Sequence, residues 1–202
     1  MTELLYDQVI RWIPEKARVL DIGTGDGTFL SRLVRENKVQ GVGVEKEPDL
    51  VAGCIEKGLV VHQGDIMDGL DQYAVSAFDY VLLLGTFQEI GTPLDLLREA
   101  FRVGKKVIIA YTNFAHLGIR LQIMFYGRSP ITRALPHAWY TSPNLHYFSI
   151  HDFDQFCKRF GLRQIETEIF GQKRKIHFLP NLFGVQAISI LECTDQRLLA
   201  ED

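Results

Sequence analysis

Several common features are scarce or missing in this sequence, and each absence excludes a class of protein. Only Cys54, Cys157 and Cys193 are present in 202 residues, without a CxxC pair, so we expect reduced, buried thiols and neither a disulfide framework nor a zinc site. No apolar run approaches the roughly 18 residues of a membrane helix. Residues 1–17 lack the pattern of a signal peptide, and a net charge of −3 provides no basic surface for nucleic acid or lipid. We therefore expect a cytoplasmic protein without a nucleic-acid or membrane partner.

Short apolar runs alternate with helical patterns along the first half of the chain. Five runs rich in Val, Ile and Leu are typical of strands buried on both faces: RVLDIG, GVGVE, LVVHQ, FDYVLLLG and KKVIIAYTN. The segments between them have helical periodicity, as at 26–37. This alternation predicts right-handed crossovers and a doubly wound parallel sheet with helices on both faces. Further along, the pattern predicts a helix at 149–161 and strands at 162–170 and 184–192.

The stretch VLDIGTGDG, residues 19–27, places three glycines directly after the first predicted strand. Ligands of a doubly wound sheet bind at this end of the strands, and glycines let them approach the backbone. The dinucleotide fingerprint G-x-G-x-x-G fails because position 28 is Thr28. Asp21 and Asp26 would repel a pyrophosphate, whereas the sulfonium and ammonium of S-adenosylmethionine favour nearby carboxylates. The turn therefore indicates S-adenosylmethionine or S-adenosylhomocysteine (SAH), whose carboxylate we expect to meet amide groups of the turn.

Two further acids follow the second and third predicted strands. Glu45 ends GVGVE, where a carboxylate can accept hydrogen bonds from both hydroxyls of an adenosine ribose. Asp65, in QGDIMDGL, occupies a place where methyltransferases often have an acid that accepts from the adenine amino group. For Asp26 and Asp68 alone, a helix cap or a solvated loop charge is the simpler interpretation. The predicted cofactor-binding residues are Asp21, Gly23, Thr24, Gly25, Gly27, Glu45, Lys46, Asp65, Ile66 and Leu84.

The sequence does not assign a catalytic residue or a methyl acceptor. Methyl transfer chiefly needs an in-line approach in a dry pocket, so a dedicated base is optional. Thr86, Gln88 and Glu89 follow the fourth predicted strand, where they could contact an acceptor or cap the next helix. That stretch lacks the N-P-P-aromatic motif of many nucleic-acid methyltransferases. The histidines of the second half could act as bases, but their spacing predicts no metal site; they are His116, His137, His146 and His151.

The chain resembles the MetW family of bacterial methionine-biosynthesis proteins. VLDIGTGDG, GVGVE and FDYVLLLGTFQE are shared with other methyltransferases, whereas the "GR-P-T-LP-WY-TPN-H" series within 113–161, followed by LPNLF, resembles this family in particular. Thr24 stands where the family commonly has cysteine, and Leu84-Gly85 replaces a more polar pair. The resemblance implies one α/β domain over 1–202. Its doubly wound, Rossmann-like class I methyltransferase sheet would have seven strands, mostly parallel, with one antiparallel strand near the C-terminus.

Residues 113–149 form a predicted insertion between the fifth strand and the following helix, far longer than an ordinary connection. Long ordered insertions are usually functional, and aromatic and arginine residues are enriched at interface hot spots. This insertion carries Phe114, Phe125, Tyr126, Trp139, Tyr140, Tyr147 and Phe148 together with Arg120, Arg128 and Arg133. We favour a docking surface over a lid that closes the cofactor pocket. The resemblance implies the partner, the homoserine O-acyltransferase (acetyltransferase or succinyltransferase) of methionine synthesis.

Three functions remain open from the sequence. The favoured one is an accessory subunit that binds S-adenosylmethionine and supports homoserine O-acyltransferase. The second is a methyltransferase that uses S-adenosylmethionine to modify a small molecule, with the insertion as its lid. The third, a nicotinamide-linked oxidoreductase, is disfavoured by Thr28 and the acidic turn.

Overall fold

The computed structural model describes residues 3–66, 70–194 and 198, so Asp68 lies outside the described residues. The strands are β1 (Arg18–Ile22), β2 (Gln40–Glu45), β3 (Val60–Gln63), β4 (Phe78–Leu84), β5 (Gly104–Thr112), β6 (Leu162–Phe170) and β7 (Gln186–Cys193). The helices are α1 (Glu3–Trp12), α2 (Thr28–Asn37), α3 (Pro48–Glu56), α4 (Pro93–Val103), α5 (Leu117–Tyr126), α6 (Ile150–Arg159) and α7 (Pro180–Phe183). A 3-10 turn at Thr86–Gln88 follows β4.

The seven strands form one sheet in the order β3-β2-β1-β4-β5-β7-β6. Strands β1 to β5 are parallel to one another, whereas β7 is antiparallel to both β5 and β6. Although β7 comes last in the chain, it lies between two earlier strands, and β6 joins the sheet only through it. The predicted sheet, mostly parallel with one antiparallel strand near the C-terminus, is confirmed.

Both faces of the sheet are buried. Along β1, Val19 belongs to the apolar cluster that contains residues of α1 and α2, whereas the next residue, Leu20, belongs to the cluster that contains residues of α4 and α6. In β4, Leu82 belongs to the same cluster as Val19, and Val81 belongs to the same cluster as Leu20. Successive side chains of a strand point to opposite faces, so strands covered on both sides need apolar residues at consecutive positions. This requirement explains the continuous Val, Ile and Leu runs of the sequence.

Three helices were not predicted from the sequence: α1, α5 and the short α7. Helix α1 packs on α2, with the ring of Tyr6 stacked on Phe29 at a centroid distance of 4.6 Å. Helix α5 lies within the 113–149 insertion, and it ends in three exposed apolar residues, Met124, Phe125 and Tyr126. In the described ranges, every helix is too short or too polar to cross a membrane.

The cysteines differ from the prediction at one position. Cys54 and Cys157 are buried, as expected, but Cys193 is only half-buried near the end of β7. All three are free thiols. Burial raises the pKa of Cys157 to about 12, so this thiol is protonated and unreactive at neutral pH.

Candidate functional site

The glycine turn after β1 uses its three glycines for different reasons. All three have positive φ, at 74° for Gly23, 62° for Gly25 and 74° for Gly27. A Cβ atom on Gly23 would lie 2.5 Å from the Thr86 hydroxyl oxygen, and one on Gly27 would lie 2.5 Å from a methyl of Leu59. A Cβ on Gly25 would meet nothing within 4 Å. Gly25 therefore marks the open position of the turn, where a ligand can reach the backbone.

Hydrogen bonds within the protein hold this turn in place. The amides of Gly23 and Thr24 donate to the Val44 carbonyl at 2.9 and 3.2 Å, and the amide of Gly27 donates to the Thr24 carbonyl at 3.2 Å. The thiol of Cys54 donates to the Gly25 carbonyl at 3.2 Å. These three amides therefore already have protein acceptors. The expected contact between amide groups of the turn and a ligand carboxylate stays a prediction.

The buried carboxylate of Glu45, at the end of β2, anchors the turn from the neighbouring strand. Its Oε2 accepts the Gly25 amide at 2.8 Å, and its Oε1 accepts the amides of Lys46 and Glu47 at 2.8 and 3.0 Å. A carboxylate has about four acceptor positions, so these three bonds leave one on Oε2. Glu45 can therefore accept one ribose hydroxyl directly, and a second only if the Gly25 amide is released.

Asp21 is buried beneath the turn. It accepts a hydrogen bond from the Thr24 hydroxyl at 2.8 Å. Burial raises the pKa of Asp21 to about 6, the Thr24 hydrogen bond opposes this rise, and the nearby carboxylate of Glu45 adds to it. A cation would offset both the desolvation of Asp21 and the repulsion from Glu45, so these acids favour a positively charged ligand.

Asp26 has the structural role that the sequence favoured for it. Its carboxylate accepts hydrogen bonds from the Thr28 amide at 3.0 Å and the Thr28 hydroxyl at 2.7 Å, and it forms an ion pair with Lys57 at 3.2 Å. The hydrogen bonds from Thr28 hold the pKa of Asp26 below its usual value. The side chain is about half exposed just before α2, whose N-cap residue is Gly27, so Asp26 matches the loop-charge interpretation and is not the helix cap.

The remaining predicted residues lie beside these acids. Lys46 and Asp65 are exposed, whereas Ile66 and Leu84 are half-buried and contact the two apolar clusters. The Gly64 amide donates to the Glu45 carbonyl at 3.1 Å, which places the loop after β3 beside the end of β2. All ten residues of the predicted set thus follow or end β1 to β4 at the same edge of the sheet. Their contacts with a cofactor stay a prediction.

The residues after β4 connect parts of the fold. The Thr86 hydroxyl donates to the Ile22 carbonyl at 2.7 Å, directly beneath the glycine turn. Gln88 is buried, and its side-chain amide donates to the carbonyls of Thr112 and His146 while its oxygen accepts the Thr112 amide. Neither side chain caps α4, whose N-cap residue is Thr92. From the sequence, these residues were candidates for contact with a methyl acceptor or for a helix cap. Their hydrogen bonds to distant segments of the fold were not predicted.

The four candidate histidines are spread over the second half of the fold. His146 contacts the Ile90 carbonyl at 2.9 Å, and His151 contacts Gln155 within α6. His137 is exposed, and His116 begins α5 beside a cavity. In the hydrogen bonds described for the chain, none of the four contacts a residue of the predicted cofactor set. Nor does any group of three or more His, Cys, Asp or Glu side chains in the described ranges have an arrangement that could hold a metal ion.

Tyr6 is a candidate site residue that was not predicted from the sequence. Burial raises the pKa of Tyr6, and the charges of Asp21, Glu3 and Asp26 add to this rise. The residue comes from α1, whose buried Leu5 and neighbouring apolar positions have helical spacing. That spacing of apolar residues is the sequence feature that could have indicated a helix at this position.

The aromatic residues of the insertion divide into two groups. Trp139, Tyr140, Tyr126 and Phe125 each have at least 70% of their surface exposed. Phe148 instead packs on Tyr111 and Phe153 in the core, and Phe114 is half-buried against Tyr147, with ring centroids 4.9 Å apart. Phe148 packs in the core because it lies just before Ser149, the N-cap residue of α6, and enters the core with that helix.

A sheet of this order with a glycine turn and acids at the carboxyl ends of β1 and β2 defines the class I methyltransferase fold, an S-adenosylmethionine-binding fold. Within that class, the chain belongs to the family described as methionine biosynthesis protein MetW, whose model matches residues 5–191. A curated relative from Rhodopirellula baltica, the bifunctional methionine biosynthesis protein MetXA/MetW, is 28% identical over 196 residues. The match covers 90% of this chain but spans only 31% of that relative.

Solved structures show the same fold. A possible histamine N-methyltransferase from Thermotoga maritima has a TM-score of 0.69 and 18% identity, with 95% of this chain and 89% of that chain covered. Magnesium protoporphyrin IX methyltransferase from Synechocystis PCC 6803, solved with bound SAH, has a TM-score of 0.67 and 15% identity, with 95% and 83% covered. At these identities the likeness concerns the fold alone.

Proposed function

We propose that this chain binds S-adenosylmethionine or SAH and acts in the cytoplasm as an accessory partner of homoserine O-acyltransferase. Membership of the MetW family places the chain in methionine biosynthesis. The name of the Rhodopirellula relative joins MetXA and MetW in one bifunctional protein, which supports a physical association of the two activities. In this proposal, residues 1–202 act as one domain and 113–149 is its inserted partner-binding segment.

The residues at the glycine turn fit the cofactor. The open space above Gly25 would accept the ligand, and the carboxylates of Asp21 and Glu45 suit its ammonium and sulfonium groups. The remaining acceptor position of Glu45 would bind a ribose hydroxyl, and Asp65 would accept from the adenine amino group. When bound, S-adenosylmethionine would supply an electrophilic methyl group, but an accessory role requires only that the site bind it.

The single observation that carries the partner proposal is an exposed apolar surface on the insertion. We define the docking face as Met124, Phe125, Tyr126, Trp139 and Tyr140, which are all at least 65% exposed. Exposed aromatic and methionine residues are enriched at interaction sites relative to the rest of a protein surface. Because these side chains point to solvent, they match a docking surface better than a lid over the glycine turn.

The experiment compares partner binding and cofactor binding in the same variants. Trp139→Ala and Phe125→Ala should abolish co-elution with homoserine O-acyltransferase in size-exclusion chromatography, since hot-spot truncations cost on the order of 2 kcal/mol or more. The dissociation constant for SAH, measured by isothermal titration, should stay within about twofold. Phe178→Ala is the matched control, because Phe178 is equally exposed but lies outside the insertion. Variants that still co-elute and support acyl transfer, yet lose SAH, would contradict the proposal.

The second candidate is a methyltransferase that acts on a small molecule. It is favoured by one observation, a cavity of about 790 Å³ at the carboxyl end of β5 whose wall includes Thr112 and part of the insertion. Under this alternative, radiolabelled S-adenosylmethionine should transfer its methyl group to a small molecule of a cell extract. The docking-face variants should then lose affinity for SAH.

A further inference from the structure

The insertion meets the sheet at a neck, which we define as residues 112–114 and 145–148. The Phe114 amide donates to the Phe148 carbonyl at 3.0 Å, which joins the two sides of the neck directly. All five residues of the docking face lie between these two sides in the sequence. Their placement on the fold therefore passes through the neck.

The part of the insertion beyond the neck has few ties to the sheet. In the hydrogen bonds described for the chain, residues 115–144 bond only to other residues of the insertion. Ile119 and Leu135 are buried there, but neither belongs to the two apolar clusters on the faces of the sheet. Contacts at the neck therefore decide how this part sits on the fold.

Gln88 holds both sides of the neck from the turn after β4. The residue is buried, its Nε2 donates to the carbonyls of Thr112 and His146 at 3.1 and 3.3 Å, and its Oε1 accepts the Thr112 amide at 2.7 Å. Its backbone carbonyl accepts the amides of Leu145 and His146 at 2.8 and 3.1 Å. Two of these five hydrogen bonds go to one side of the neck and three to the other.

The side-chain bonds of Gln88 require a neutral amide. A primary amide has two donor hydrogens and one acceptor oxygen, which here meet two carbonyls and one backbone amide. A carboxylate would have no donor for the carbonyls, and an apolar side chain would leave all three buried groups unpaired. The neighbouring Phe87 also packs on Phe148, with ring centroids 6.0 Å apart, but this apolar contact is not directional.

We propose that Gln88 is a positioning residue, which fixes the insertion and with it the docking face in one arrangement relative to the sheet. Binding of a partner then does not have to order the insertion, and this pre-organisation raises the affinity. The effect on the partner rests on the proposed function, whereas the hold on the insertion does not. A residue with only a structural role would lower stability without changing the mobility of the docking face.

Trp139 reports that mobility. It belongs to the docking face and is 75% exposed. The chain has two tryptophans, so Trp12→Phe leaves Trp139 as the single fluorophore of this type. The Nε1 atom of Trp12 has no hydrogen-bond partner among the described residues, so this substitution breaks no described bond. Fluorescence anisotropy of the full chain in this parent background, without a partner, measures how freely the docking face moves on the nanosecond timescale.

Gln88→Met keeps an unbranched side chain of similar length but makes none of the three side-chain bonds. We expect lower Trp139 anisotropy than in the parent. Homoserine O-acyltransferase should bind at least about tenfold more weakly in isothermal titration, since binding would then have to order the insertion. The dissociation constant for SAH should stay within about twofold, because Gln88 is not among the predicted cofactor residues.

Asn37→Leu is the matched control for general destabilisation. The Asn37 side-chain amide also donates to two backbone carbonyls, those of Ile10 and Ile13. It precedes β2, whereas the neck begins where β5 ends, so the two amides lie at opposite edges of the parallel part of the sheet. Thermal unfolding should show a loss of stability in Asn37→Leu as in Gln88→Met, but the Trp139 anisotropy and both affinities should stay at the parent values.

Gln88→Glu provides a second test that does not depend on the folding of Gln88→Met. A protonated carboxyl group has nearly the shape of the amide and can both donate and accept, whereas the ionised group can only accept. Burial disfavours the ionised form, so the hold on the neck should persist in mild acid and be lost as the pH rises. Trp139 anisotropy should match the parent at about pH 5.5 and fall below it towards about pH 8.5. The parent profile corrects for the neighbouring Glu89 and His146, which it also contains.

Three results would overturn the proposal. The first is parent-like anisotropy in folded Gln88→Met together with a Gln88→Glu profile that follows the parent at every pH. The second is an equal fall of anisotropy in Asn37→Leu. The third is lower anisotropy in Gln88→Met with unchanged affinity for the acyltransferase, since the hold would then not serve the docking face. If the parent itself does not bind the acyltransferase, the proposed function fails, and the anisotropy of the Gln88 variants still decides whether Gln88 positions the insertion.

Discussion

The carboxylate of Glu45 accepts the backbone amide of Gly25 at 2.8 Å, which joins the end of β2 to the open position of the glycine turn. One side chain thus has two roles that ligand binding would bring into competition. It fixes the turn through Gly25, and it has one acceptor position left for a ligand donor. The shape of the turn and the affinity of the site are therefore coupled through Glu45.

Replacing Glu45 should affect both stability and binding. Glu45→Gln keeps the size of the side chain but loses the charge and one acceptor oxygen, so we expect a loss of about 1–3 kcal/mol in unfolding free energy and at least about tenfold in SAH affinity. Urea denaturation and isothermal titration measure the two effects. Glu47→Gln, an exposed neighbour, serves as the control. Equal SAH affinity in wild type and Glu45→Gln would remove Glu45 from the binding site.

Asp65 should determine the preference for adenine. The wild type should bind SAH more tightly than S-inosylhomocysteine, since the inosine ring lacks the amino donor. Because Asp65 is exposed, we expect a modest preference of about threefold to tenfold. Asp65→Ala should reduce it, whereas Asp49→Ala, an exposed acid in the first turn of α3, should not. A preference unchanged in Asp65→Ala would move the adenine contact to another residue.

Asp21 should make the protein less stable as the pH rises. Its pKa is raised to about 6 in the folded state, so between pH 4 and pH 6 the folded state binds more protons than the unfolded state and loses stability with increasing pH. At pH 7 the cost is on the order of 3 kcal/mol. Asp21→Asn should therefore exceed the wild type in unfolding free energy at pH 7.5, with the difference shrinking towards pH 4, while its SAH affinity falls.

Asp26→Asn is the control for this pH effect, because the pKa of Asp26 is shifted in the opposite direction to that of Asp21. The pKa of Asp26 is lowered, mainly by Thr28, so its stabilising contribution is present at neutral pH and lost in acid. Asp26→Asn should be slightly less stable than wild type at pH 7.5 and equal to it at low pH. Parallel denaturant titrations that give both variants the same sign would contradict the assigned environments.

Alanine substitutions should separate the roles of Gly25 and Gly27. Gly27→Ala would place a Cβ 2.5 Å from Leu59 and 2.9 Å from the Cys54 sulfur, so we expect a loss of several kcal/mol in stability. Gly25→Ala adds only the left-handed backbone penalty of about 1–2 kcal/mol, because its Cβ meets no protein atom. That Cβ would occupy the ligand's approach, so Gly25→Ala should lose SAH binding while staying folded. Thermal unfolding with and without SAH distinguishes the two.

The sheet and the glycine turn were predictable because their physical causes are local. Strands buried on both faces require continuous apolar runs, and β6 at Leu162–Phe170 has the predicted bounds. The positive φ angles of the turn require glycine, which the sequence shows directly. The acids at the carboxyl ends of β1 and β2 were found because parallel strands bring these ends to one edge of the sheet.

Other features depend on contacts between distant segments. Helix α5 was missed because it is apolar on several sides and exposes Phe125, so it lacks the amphipathic stripe that indicates a surface helix. The side-chain hydrogen bonds of Gln88 to Thr112 and His146 join residues up to 58 positions apart. The buried Oε1 atom of Gln186, which has no hydrogen-bond partner among the described residues, is a property of the assembled core and has no counterpart in the sequence pattern.

The position of β7 has a consequence for synthesis on the ribosome. Since β7 lies between β5 and β6, a nascent chain that ends before Gln186 has an open hydrogen-bonding edge on β5, and β6 has no strand to join. Open edges of this kind favour pairing with other chains. The N-terminal strands can assemble during translation, but the sheet closes only when the last strand emerges from the exit tunnel. Slowing elongation late in the message should therefore prolong the lifetime of an intermediate with an open sheet edge, without changing the final fold.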